Sequence, residues 1–148
     1  MYTIGEVSKM MNLSVPTIRY YDEEGLLPNI KRDNNGNRIF DEVDIRTFTM
    51  INCLKQTGLK IKEIKAFMDL CKLGNDSLKE RLDFFYEQER KIKDQIKELN
   101  KCLSLIKFKE WYYQTAVEHN DENYVKNLKL SDYPNEAKKN YLISHPER

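Results

Sequence analysis

The sequence predicts a mainly α-helical fold in two main parts, a compact N-terminal domain of short helices and one long helix, with a short C-terminal tail. Three observations carry that expectation. Helix-capping residues recur at short intervals through residues 1–74, one Asn-Gly hairpin signal interrupts them, and from Leu78 the apolar residues fall into a heptad spacing.

The elements follow in order. Thr3, with Glu6 three residues on, has the spacing of a capping box, in which the hydroxyl and the carboxylate each satisfy an orphan amide, so a helix is expected over Ile4–Met11. Asn12 and Leu13 supply its turn. Ser14 is placed to cap a second helix, and Pro16 is tolerated in its first turn, where the missing amide has no intrahelical partner. That helix is expected to end near Glu24, with Gly25 free to take the left-handed closing position. Two short helices joined by a tight turn make a helix-turn-helix candidate.

In NIKRDNNGNRIF, Asn35-Gly36 favours positive φ and a tight hairpin turn between short extended arms, which reads as a wing. Asp41 caps a helix with Val43, Phe48, Ile51 and Leu54 at its apolar positions, ending at Gly58. Leu59 to Leu70 reads as a further amphipathic helix with Ile61, Ile64, Phe67 and Met68 on one face. The winged helix-turn-helix domain is therefore expected over residues 1–74, closing where Gly74, Asn75 and Asp76 break the pattern.

A coiled-coil dimerisation helix is expected over residues 75–112, because Leu78, Leu82, Phe85, Glu89, Ile92, Ile96, Leu99, Leu103 and Ile106 follow one another by alternating steps of four and three. Glu89 alone breaks the apolar seam, either setting register or standing as a solvated polar insertion. A lone helix of this kind leaves an apolar stripe in water, so it needs a partner: a second copy of the chain is the simplest, and its own domain is the alternative. Residues 113–148 are expected to be a short C-terminal effector or capping region. Trp111, Tyr112 and Tyr113 either close the coiled-coil end against the partner or form the wall of a small ligand pocket.

Composition narrows the function. A chain of 148 residues, 40% hydrophobic and 33% charged, buries a modest core and is too small for a large catalytic cavity. No run of about 18 apolar residues occurs, and the opening MYTIGEVSKM carries an acid where a secretory leader needs bases, so a cytoplasmic protein away from membranes is expected. Cys53, Cys71 and Cys102 lack paired or metal-ligand spacing, and His119 and His145 lie in the polar tail without a nucleophile or metal partner. An enzyme, a cofactor and a metal are accordingly not expected. The net charge is +1, so any nucleic-acid signal is local: Lys31, Arg32 and Arg38 cluster against the single acid Asp33 between Pro28 and Phe40.

The opening YTIGEVSKMMNLSVPTIRYYDEEGLLPNIKRDNNGNRIFDEVDI, followed by LKQTGLKIKEIKAF and a heptad helix, resembles the MerR family of bacterial transcription regulators across about the first 110 residues. IRYYDEEGLL together with R-x-x-x-G-x-R-x-F makes the resemblance specific; Asn37 departs from it, standing where the family usually has tyrosine. The second helix then becomes a recognition helix. Thr17, Arg19 and Tyr20 share its exposed side, Arg19 offering a guanidinium fork to a guanine edge and the two hydroxyls suiting phosphate. The alternative for Arg19 is a surface ion pair with Glu23. Lys31, Arg32, Asn37 and Arg38 would meet the DNA backbone from the wing, and Lys60, near a helix start, is a further phosphate candidate.

The resemblance implies a homodimer on double-stranded promoter DNA that bends and untwists an overlong spacer so that RNA polymerase engages both promoter elements. Within the family, Asp76-Ser77 stands where metal sensors carry cysteine, and the tail is too short for a multidrug-binding domain. INCLKQTG, EWYYQTA and the short C-terminus resemble the aldehyde- and thiol-stress (NmlR/AdhR-like) subgroup, which implies Cys53 as an electrophile or oxidative-stress sensor; the alternative is a small buried hydrophobe. Two further readings stand beside this one: a coiled-coil adaptor that binds protein without DNA, and a regulator sensing a small ligand at the aromatic C-terminal region.

Overall fold

The computed structural model describes residues 1–147. In chain order the elements are β1 (Tyr2–Thr3), α1 (Ile4–Met11), α2 (Val15–Glu23), β2 (Lys31–Arg32), β3 (Arg38–Phe40), α3 (Glu42–Gln56), α4 (Ile61–Lys72), a 3-10 turn (Gly74–Ser77), α5 (Leu78–His119), α6 (Glu122–Lys126), a second 3-10 turn (Leu130–Asp132) and α7 (Asn135–Ser144). The chain divides into two compact units, one over Met1–Lys91 and the other from Ile92 onward. No helix among the described residues is long and apolar enough to cross a membrane.

In the first unit the caps form as their spacing requires. The Glu6 amide donates to Thr3 Oγ1 at 3.3 Å while Glu6 accepts the Thr3 amide at 2.7 Å, and Asp41 and Asp44 repeat the reciprocal pattern at the start of α3. Asn12 closes α1 at φ 52° and Gly25 follows α2 at φ 77°. The core joins Val7, Ile18, Tyr21, Leu26, Leu27, Phe40, Phe48, Ile51, Leu54, Ile64, Phe67 and Met68. Phe84 and Phe85 of α5 extend it, with Phe67 ring centroids 4.6 and 5.2 Å away. Val43 is an exception among the expected apolar positions: it lies in the first turn of α3 and is 58% exposed.

Two features of the wing depart from expectation. A three-stranded antiparallel sheet, order β1-β3-β2, replaces the simple hairpin, since Tyr2 pairs with Phe40 and Thr3 with Ile39. The loop is also not a two-residue Asn35-Gly36 turn, because Gly36 alone takes positive φ there, at 80°. Asp33 builds the turn instead: its Oδ1 accepts the amides of Asn35 and Asn37, each at 2.9 Å. Those amides, Asn37's first, hold the Asp33 carboxyl below the usual carboxylate range.

Helix α5 passes the expected end at residue 112 and runs to His119. Leu78, Leu82 and Phe85 are exposed in the first unit, and Ile96, Leu99, Leu103 and Ile106 in the second, with Ile92 half-buried. In the second unit, Phe108 and Trp111 pack on Tyr133 and Tyr141 of the tail, with ring centroids 4.8 to 5.7 Å apart. The end of α5 and the tail therefore share a small aromatic core of their own.

Candidate nucleic-acid interface

The N-terminal helix pair presents α2 through its cap. The Ser14 hydroxyl accepts the Thr17 amide at 3.2 Å and lies 2.7 Å from Thr17 Oγ1, which fixes the first turn. Ile18 and Tyr21 are buried, so Arg19 and Tyr20 point outward by helical spacing and both are exposed. Among the described residues no ion pair joins Arg19 to Glu23. Thr17 is half-buried, its hydroxyl already engaged with Ser14.

The wing brings its bases to the same place. Arg19 of α2 lines one cleft of about 230 Å³ together with Ile4 and the wing residues Arg32, Gly36, Asn37 and Arg38. Three guanidinium groups thus surround a single depression that suits an anionic backbone. Arg32 is exposed and donates from Nη1 to the Gly36 carbonyl at 2.8 Å, while the Asn37 amide group donates to Asp33 at 3.1 Å. Lys31 pairs with Asp41 at 3.5 Å, but with 63% of the lysine side chain exposed the pair is weak.

Arg38 differs from these. Its Nε donates to Asp22 Oδ2 at 2.7 Å, and the side chains are only 17% and 21% exposed. Sequence reading did not single out Asp22, because nothing in local spacing links residues 22 and 38. Lys60 is exposed just before α4, and its own amide is taken by Glu63 at 2.8 Å, so a carboxylate of the chain already stands at that helix start.

Cys53 is exposed on α3 and lines a shallow depression with Met10, Met11, Thr49, Asn52 and Gln56, so it is not the small buried hydrophobe of the alternative reading. Lys55 is engaged elsewhere: its Nζ lies 3.1 Å from the Tyr21 hydroxyl and 5.5 Å over that ring. Cys71 is half-buried and Cys102 exposed, both free thiols.

Trp111, Tyr112 and Tyr113 do not form one wall. Trp111 borders a cavity of about 320 Å³ with Lys107, Glu110, Pro134, Ala137 and Asn140, whereas Tyr113 borders another depression with Ala116 and Val117. Tyr112 donates to Glu122 at 3.0 Å; burial, and then this bond, push its phenol up from the ordinary value.

Known proteins resemble this chain in sequence and fold. Residues 2–71 match the family described as MerR HTH family regulatory protein. An HTH-type transcriptional regulator of Haemophilus influenzae is 41% identical over 115 residues, covering 78% of this chain and 85% of its own. The regulator AdhR of Bacillus subtilis is 30% identical over 89 residues, covering 60% of this chain and 64% of its own. Among solved structures, HiNmlR, described as a MerR family regulator lacking the sensor domain and bound to promoter DNA, superposes with a TM-score of 0.74 at 38% identity, covering 82% of this chain and 97% of that one.

Proposed function

Because the chain belongs to the MerR family and is a DNA-binding transcriptional regulator rather than an enzyme, we propose that it acts in the cytoplasm as a homodimer on promoter DNA, with α2 in the major groove and the wing on the flanking backbone. The observation that carries this reading is the cleft in which Arg19 meets the wing residues Arg32 and Asn37. A groove-reading helix needs a long donor for base edges beside groups that grip phosphate, and that cleft supplies both. The adaptor reading falls with the family.

In the dimer the exposed stripe of α5 pairs with its copy and sets two reading heads on a pseudo-palindrome. Such a two-point grip bends and untwists an overlong promoter spacer for RNA polymerase, and Thr17, Tyr20, Lys31 and Lys60 add backbone contacts. Arg19 supplies the specificity. Arg19→Ala is expected to lower affinity for the cognate operator by about 1–3 kcal/mol and to relax base preference at one position. Equal loss on cognate and scrambled duplexes in gel-shift titrations would instead make Arg19 a phosphate contact.

Induction runs through Cys53 in this reading, supported by its exposure on α3. Its thiolate forms a bond to an electrophilic carbon, or gives two electrons to a peroxide and becomes a sulfenic acid as the peroxide's O–O bond breaks, placing new bulk on α3. Cys53→Ser would then leave DNA binding intact and abolish electrophile-dependent reporter induction. The cavity beside Trp111 favours a second reading, a small inducer bound at the C-terminal unit, which Trp111 fluorescence on adding candidate ligands tests directly.

A further inference from the structure

The geometry points to Asp22 as the positioning residue of the reading head: through Arg38 it holds the wing at a fixed setting against the recognition helix, and Arg38 acts inside the protein rather than on phosphate. The inference rests on the DNA-binding reading above and concerns how its two contact elements are kept in register.

β1 holds the base of the wing, pairing Tyr2 with Phe40 and Thr3 with Ile39, but it stops short of Arg38. β2 contributes only Lys31 and Arg32, both exposed, and pairs with β3 through two residue pairs, Lys31 with Ile39 and Arg32 with Arg38. Phe40 anchors the base of β3 in the core, but the strand's outer end is polar. The ion pair is formed there, between the first residue of β3 and the last turn of α2. It bridges residues sixteen positions apart in sequence.

Coverage separates this pair from the others. Its two side chains are 17% and 21% exposed, whereas Lys31–Asp41, Lys65–Asp69 and Lys72–Asp69 each carry a lysine at least 40% exposed. Exposed pairs are weak and interchange with solvent, but a covered charge stripped of its partner is left without compensation. A carboxylate bonded to a residue of the cleft would also repel phosphate if it stood alone. Paired, it cancels Arg38 and leaves Arg19 and Arg32 as the cleft's uncancelled guanidinium charges.

The two roles for Arg38 predict opposite signs. If Arg38 grips phosphate and Asp22 merely restrains it, Asp22→Ala frees the cation and removes a repelling charge, so binding tightens. If Asp22 and Arg38 form a brace, Asp22→Ala weakens binding, and the double variant Asp22→Ala/Arg38→Gln is no weaker than either single one.

The experiment is a salt titration of operator binding by the full chain, with thermal unfolding measured on each variant. The brace predicts that Asp22→Ala and Arg38→Gln each lose about tenfold, or more, in affinity with the slope of log affinity on log salt unchanged; a lost phosphate contact lowers that slope by about one. Arg38→Lys keeps the charge but loses the Nε geometry, so it is expected to fall with Arg38→Gln, and near-native affinity in this variant would overturn the brace. If Arg38→Gln does not fold, Arg38→Lys and Asp22→Ala carry the decision. Tighter binding by Asp22→Ala overturns the inference while leaving the DNA-binding reading intact. A wild-type chain indifferent to duplex DNA at low salt overturns that reading instead.

Discussion

The N-terminal unit and the α5 stripe treat apolar side chains in opposite ways. In the first unit Val7, Ile18, Phe40, Phe48, Ile51 and Ile64 are fully enclosed, and the capping carboxylates of Glu6, Asp41 and Asp44 are bonded to nearby amides. Along α5, Leu82, Ile96, Leu99, Leu103 and Ile106 stand in solvent at regular spacing on a helix of 42 residues. Short helices that cross one another can close a core within one chain. A single long helix has no opposite wall for such a seam, and in the proposed dimer a second copy supplies it.

The comparison breaks most sharply at the seam. Each Leu or Ile buried in a coiled coil contributes about 1.5–3 kcal/mol, and Leu99→Asp/Leu103→Asp removes two from each chain of the dimer, so it is expected to weaken dimerisation by about 10⁴-fold or more. Sedimentation of the variant should show monomers whose N-terminal unit unfolds at the wild-type temperature. A dimer unchanged by this double substitution would show that the stripe serves something else.

Phe48→Ala tests the other side. It removes a fully enclosed ring in contact with Tyr21 and Phe40 and is expected to cost the N-terminal unit about 3–5 kcal/mol. Calorimetry should register that loss, while below the transition the chain stays dimeric. Together the two variants ask whether folding and pairing are separable.

The smallest expected effect concerns the wing. Asp33's carboxyl lies below its ordinary value because it accepts the Asn37 and Asn35 amides, so its stabilising contribution is present above the unfolded value of about 3.9 and is lost as pH falls through the folded value. Acid should therefore loosen the turn, seen in NMR as lower protection of the Asn35 and Asn37 amides relative to their intrinsic exchange rates, before the aromatic core of the unit responds. Asn37 protection that stays unchanged through that range would contradict Asp33's part in the turn.

Much of this contrast was legible in the sequence wherever a partner lies within one helical turn. Thr3 with Glu6, Ser14 with Thr17 and the faces of α3 and α4 follow from spacing alone. The two-residue strand β1 is too short to carry a period, and although the wing hairpin turns with positive φ at Gly36, the part of the Asp33 side chain in organising it is not marked by the Asn-Gly dipeptide. Continuation of α5 to His119 depends on aromatic residues that meet from well-separated positions, Phe108 with Tyr141 for example. Of the candidate site, Arg19 and Arg32 were legible as exposed bases, but the commitment of Arg38 to Asp22 belongs to tertiary structure.

The central claim, that a paired α5 delivers two reading heads to one duplex, is tested most directly by the mass of the protein–DNA complex in analytical ultracentrifugation. Two chains per operator are predicted for the wild type, with Leu99→Asp/Leu103→Asp losing that complex at the same concentration. One chain per operator, held as tightly by the seam variant as by the wild type, would contradict it.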